Sequence, residues 1–154
     1  MCARRAYMSP AVVQVVTNFL DSAGSMKRYE EPPEPRNIAR TAANNGVGVL
    51  VIRAVQAGAV TAALDREAAP EEHADYDKAA PYRALAAELG EDPAVLAHRY
   101  ALAMPGVDTV ILGVKNRQEL NDLVDGVNKG PLDPEIVARI DALRLNFQIP
   151  RMPL

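Results

Sequence analysis

The stretch Gly113-Val114-Lys115-Asn116-Arg117-Gln118-Glu119 joins the apolar run "VDTVIL" (107–112) to a helical pattern. A glycine there lets the backbone come close to a ligand. A helix opening at Asn116 offers unpaired amides and the positive end of its dipole. Lys115 and Arg117 add charge, so the chemistry that suits the stretch is anion binding, phosphate foremost. The competing reading is a capped helix with a basic rim. It accounts less well for the cations, which oppose the dipole in a first turn by a few tenths to about 1 kcal/mol. Arg53, at the end of "VGVLVIR" (47–53), is a second candidate. Its guanidinium can grip a phosphate in bidentate fashion, or pair with an acid of the segment that follows. Gln14, in "VVQVV", presents both an amide donor and an amide acceptor. His73 lies in "EEHADYD" with no partner at ligand spacing and reads as part of a solvated charge run. His98 reads as packed between helices or facing water.

These residues need elements to hold them. "AVVQVVTNFLD" (11–21) reads as a buried strand, and the proline-rich 22–36 as a connecting loop. A helix is expected over 37–45, stopped at Asn45-Gly46 by a left-handed glycine. The run 47–53 is apolar almost throughout, the mark of a strand covered on both faces in a parallel sheet. Residues 54–80 read as a long loop. Helices follow over 81–90, with Pro81 in its first turn and Gly90 at its end, and from Asp92-Pro93 to about Met104. A strand at 108–112, a helix from Asn116 to about Asn128, and a last helix from Asp133-Pro134 to about Arg144 complete the order. Residues 146–154 read as an irregular tail.

Strands alternating with helices, each strand mostly apolar, imply parallel βαβ units with right-handed crossovers. Three strands alone leave two sheet edges and one face short of cover, so the expected fold is part of a larger α/β assembly. The 154 residues, 49% hydrophobic and 24% charged, suit one domain over 1–154. A formal net charge of −3 with mixed signs gives no field that draws nucleic acid or a membrane surface. Cys2 is the only cysteine, and no apolar run is long enough to span a bilayer. The N-terminus carries no secretion-type run, so a cytoplasmic protein is the expectation.

Four pieces carry a resemblance: "VVQVVTNFLD", "NNGVGVLVIRAVQAGAVT", "PGVDTVILGVKNRQELNDLV" and "KGPLDPEIVARIDAL". In this order and spacing, over residues 9–143, they resemble the last three strand units of an aldo-keto reductase of the short-loop bacterial type. The resemblance implies an eight-stranded TIM barrel of which this chain supplies the sixth to eighth strands, since a full barrel takes about 250 residues. It implies a nicotinamide cofactor, NADP(H) or NAD(H), and a small carbonyl substrate in the complete barrel. The family's Asp, Tyr, Lys, His set lies on earlier strands, so no catalytic residue is expected here. None of Tyr7, Tyr29, Tyr76, Tyr82 and Tyr100 falls at the end of a strand.

By resemblance, Gln14 holds the nicotinamide carboxamide, and Ile52 packs on the nicotinamide ring where the family has an aromatic residue. Arg53 and Val55 lie near the pyrophosphate. Gly113, Val114, Lys115, Asn116 and Arg117 hold the adenosine phosphates. Glu119 puts a negative charge near the adenosine ribose, which leaves the choice between NADP and NAD open, and Asp122 offers an acceptor to the adenine amino group. Self-association through bare strand edges is expected, with the apolar residues Val13, Val49 and Val110 exposed. The alternative is a non-catalytic module that binds a nucleotide or a protein partner.

Overall fold

A computed structural model of the chain describes residues 10–21 and 34–146. The elements run β1 (Val12–Val16), α1 (Pro35–Asn44), β2 (Gly48–Ile52), a 3₁₀ turn (Gln56–Gly58), α2 (Pro70–Lys78), α3 (Ala80–Leu89), α4 (Pro93–Ala103), β3 (Thr109–Val110), α5 (Arg117–Asn128) and α6 (Pro134–Ala142). The strands form one parallel sheet in the order β1-β2-β3. Val12 lies opposite Gly48 and Val16 opposite Ile52, while Leu50 and Val51 face Thr109 and Val110.

Helix starts follow local chemistry. The Asp92 carboxylate accepts from the amides of Ala94 and Val95 at 2.8 and 3.0 Å, and that of Asp133 from Glu135 at 2.8 Å. A proline follows each, where its missing amide costs nothing. Gly46 and Gly90 take left-handed conformations at the ends of α1 and α3, as the sequence suggested.

Helices cover one face of the sheet. Val15, Val49, Ala39, Ala42 and Val47 form a cluster under α1, and Val51 packs with Ala54 and Ala101 of α4. The larger core lies beyond, where Phe19 stacks on Tyr82 at 4.0 Å and meets Tyr100 edge-on. The opposite face carries Val12, Gln14, Val16, Leu50, Ile52, Thr109 and Ile111 and has no cover among the described residues. Val12 and Ile111 stay 50% and 46% exposed, which marks this as the side that would face a barrel interior. Both flanks are bare as well: Ile38 on α1, and Leu120, Val124 and Val127 along one stripe of α5.

Several expectations need correction. Val49 is fully buried, and Val13 and Val110 are half-buried against the helix-side clusters. The exposed residues are their neighbours, because alternate residues of a strand point to opposite faces. β1 stops at Val16 rather than at 21. The Asn18 side chain accepts from the Leu20 amide at 2.8 Å and turns the chain. Residues 54–80 are not one loop, since they contain the 3₁₀ turn and α2. α2 starts at Pro70 and is tied by Glu72, which accepts from the Ala69 amide at 3.2 Å. β3 is two residues long, although the Ile111 amide still reaches Val51 O at 2.8 Å. α1 begins at Pro35, inside the stretch expected to be loop, and the rest of that loop and most of the tail lie outside the described residues.

Candidate cofactor site

A cavity of about 610 Å³ opens at the C-terminal ends of β2 and β3, between the chain leaving β2 and the start of α5. The sheet ends here, so backbone groups and side chains converge without a covering strand, as at the active face of parallel α/β folds. Its walls include six of the residues singled out from sequence: Arg53, Val55, Gly113, Lys115, Glu119 and Asp122. Gln14, Ile52, Val114, Asn116 and Arg117 lie off its lining. Gln14 and Ile52 sit on the uncovered sheet face, Gln14 exposed and Ile52 half-buried. Val114 and Arg117 are exposed, and Asn116 caps α5.

Among the described residues, the exit from β2 carries the densest run of left-handed non-glycine backbone. Arg53, Gln56 and Ala57 have φ of 61°, 46° and 54°, all left-handed and none glycine. Each costs of order 1 kcal/mol or more and persists only where surroundings dictate it. A buried polar network does so. Asn18 Nδ2 donates to Arg53 O at 2.9 Å and to Gln56 Oε1 at 3.0 Å, and Gln56 Nε2 donates to Asp75 Oδ2 at 2.8 Å. Arg53 also reaches Glu72 Oε1 at 3.4 Å, with both side chains largely buried, and Arg66 meets the other oxygen at 2.7 Å. Arg53 thus pairs with an acid of the following segment, the second of its two sequence readings, while still lining the cavity. Sequence inspection did not find Asn18, Gln56, Glu72 or Asp75; a polar pair within an apolar run, and acids behind a proline, were the only signals.

At the other wall, the Glu119 amide donates to Asn116 Oδ1 at 3.0 Å, while Glu119 Oε2 accepts from the Lys115 amide at 2.8 Å. This is a capping arrangement with an Asn-x-x-Glu spacing, and it makes α5 a capped helix as well as a basic rim. The carboxylate occupies one of the amides that an incoming anion would use. The Lys115 ammonium contacts Asp65, both more than half exposed, and its hydrogen bond and then its charge hold the Asp65 carboxyl below its ordinary value. Asp65 belongs to a strap, residues 61–66, that lines the cavity and is pinned where Arg66 donates twice to Ala57 O, at 2.7 and 3.0 Å. Gly113 has open space where a Cβ would stand, so the backbone there is free to be approached. α4 and α5 close the far end. A Cβ on Gly126 would fall 2.3 Å from Val95 Cγ1, so only glycine allows this spacing.

His73 is exposed on α2, whereas His98 is buried and borders the cavity. Tyr82 donates to Pro93 O at 2.7 Å, Tyr76 to Ala62 O at 3.1 Å, and Tyr100 contacts Asp141. None of these three lines the cavity. Tyr7 and Tyr29 lie outside the described residues. Among the described residues no helix is long and apolar enough to cross a membrane.

Three parallel strands with helices on one face and a site at the strand ends are a segment of a β/α barrel. The profile of the Aldo/keto reductase family matches residues 1–145, and the chain belongs to that family. It is similar in structure to the glycerol dehydrogenase AKR11B4 from Gluconobacter oxydans, with a TM-score of 0.65 and 16% identity over 95% of this chain and 47% of that one. It is also similar to the aldo-keto reductase AKR11C1 from Bacillus halodurans. The holo form gives a TM-score of 0.64 and 22% identity over 96% of this chain and 46% of that one, and the apo form 0.62 and 20%. The chain therefore spans about half the length of these relatives, and the fold here is a partial barrel. Among curated proteins none matches the sequence.

Proposed function

We propose that this chain is the cofactor-binding portion of an NAD(P)H-dependent carbonyl reductase, with the Asp, Tyr, Lys, His set borne by strands it does not contain. The observation that carries the reading is the cavity at the ends of β2 and β3, with Lys115, Arg53 and the open backbone at Gly113 on its walls. Lys115 is more than half exposed and its ion pair with Asp65 is a surface pair, so it is easily traded for a phosphate. Lys115, with Asn116 and Arg117 beside it, binds the adenosine phosphates. Arg53 sets a positive wall near the pyrophosphate, with Val55 packed beside it. Gln14 and Ile52, on one face of the sheet, orient the nicotinamide carboxamide and ring. Asp122 stands on the cavity wall at the adenine end of the site. When bound, the dinucleotide supplies a hydride to the carbonyl carbon. What this chain contributes is affinity, orientation and the strap 61–66, which forms one wall of the cavity.

The test is a titration of NADPH by its own fluorescence, since the chain has no tryptophan to compete. Saturable binding that weakens in Lys115→Ala supports the reading. Absence of any binding to a folded chain contradicts it.

A further inference from the structure

Among the described residues, His98 is the one buried polar side chain on the cavity wall, and the reading above gives it no role. It is 2% exposed, on α4, beside Val95 and across from Leu123, which are themselves 7% and 5% exposed. Its Nδ1 lies 2.8 Å from Ala94 O. A carbonyl only accepts, so Nδ1 carries the proton and Nε2 of the neutral ring is a bare acceptor. Burial holds the imidazole below its ordinary pKa, against the weaker pulls of the Ala94 bond and of Asp92, and so favours the neutral ring. No described residue bonds to Nε2. Arg99 Nε is the only side-chain nitrogen or oxygen among the described residues that is both sealed and unpartnered, so Nε2 keeps an opening, and the space His98 borders is the cavity.

A neutral acceptor set beside Ala94, Val95 and Leu123 suits a flat ligand with an N–H donor at its edge. A phosphate does not suit, because its oxygens are acceptors too. We propose that His98 Nε2 reads the base of the ligand, accepting a hydrogen bond from the exocyclic amino group of a 6-aminopurine lodged between α4 and α5. This rests on the dinucleotide reading above and adds a specificity residue to it. Asp122 is not an equivalent acceptor, since its Oδ1 already takes the Gln118 side-chain amide at 2.8 Å and it stands exposed.

The experiment compares NADP with its hypoxanthine analogue, in which a carbonyl replaces the amino group. The wild-type chain should favour the amino form by about tenfold, the size expected when a buried acceptor loses its only donor. His98→Leu should abolish the preference, and His98→Gln, whose amide oxygen reaches the Nε2 position, should keep it. The wild type also supplies a readout that no folding defect can mimic. With only two histidines in the chain, the ¹⁵N resonance of His98 Nε2 should move on adding NADP and not on adding the analogue, while that of His73 stays put. Equal affinity for the two dinucleotides, or a preference that persists in His98→Leu, overturns the role of His98 and leaves the dinucleotide reading standing. Binding of neither overturns both.

Discussion

Replacing Glu119 by glutamine removes one negative charge from the mouth of α5 and keeps an oxygen able to accept from the Lys115 amide, now 2.8 Å from Glu119 Oε2. The fold should lose only the favourable meeting of a carboxylate with the helix dipole, a few tenths to about 1 kcal/mol. Ligand binding should change more. A phosphate held by Lys115 would stand roughly 5–7 Å from this carboxylate, and two such charges at a half-exposed site repel by about 1–3 kcal/mol. NAD lacks the third phosphate, so the relief should fall mainly on NADP. The NADP-to-NAD affinity ratio should rise by about tenfold, or about 1.4 kcal/mol. The change should shrink at high salt, where the Debye length falls to a few ångströms. Calorimetric titration of both cofactors against wild type and variant decides the matter. If both cofactors tighten equally, Glu119 faces a phosphate the two share; if neither changes, the "GVKNR" turn holds no anion at all.

Other consequences follow from the same geometry. Lys115→Ala should weaken NADP several-fold more than NAD in the same titrations, because it removes the most exposed cation of the site. Gly126→Ala should destabilise the chain by about 1–3 kcal/mol in urea unfolding, since a Cβ cannot sit 2.3 Å from Val95 Cγ1 without parting α4 from α5. His98 is held below its ordinary pKa by burial, so the unfolded chain binds the extra proton first. Its neutral burial is costless above about pH 6.5 and is penalised progressively as pH falls below that value. The melting temperature of the wild type relative to His98→Gln should therefore drop between about pH 7.5 and 5.5, and a pH-independent gap would count against it. With Val12, Leu50 and Ile111 on an uncovered face, the chain alone should self-associate in light scattering and should not reduce carbonyls. A monodisperse monomer melting in one sharp transition would contradict the first, and steady NADPH consumption with an aldehyde the second.

The parts of the fold that follow from local chemistry were legible. Asp92-Pro93 and Asp133-Pro134 opened helices, Gly46 and Gly90 closed them, and the apolar run after Val47 became the central strand. What depended on tertiary partners was not. A strand with valine on both faces does not say which face helices cover, and the face holding Val49 proved to be the covered one. Asn18 ended β1 early because its amide bridges Leu20, Arg53 and Gln56, a bond set spanning segments far apart in sequence. α2 was hidden by its run of charges, with almost no apolar residue to mark a buried face, and with it Glu72, the acid that claims Arg53. At the site, the cationic turn and the helix start at Asn116 were visible in "GVKNR", but the return bond from Glu119 to the Lys115 amide went unread.

The central claim, that a dinucleotide binds at the ends of β2 and β3, is tested most directly by an amide ¹H–¹⁵N spectrum of the chain titrated with NADP. The account predicts the largest shifts at Gly113, Lys115 and residues 53–58, followed by the strap 61–66, with α3 and α6 unmoved. Shifts confined to the uncovered sheet face or to α6, or no shifts at saturating cofactor, would contradict it.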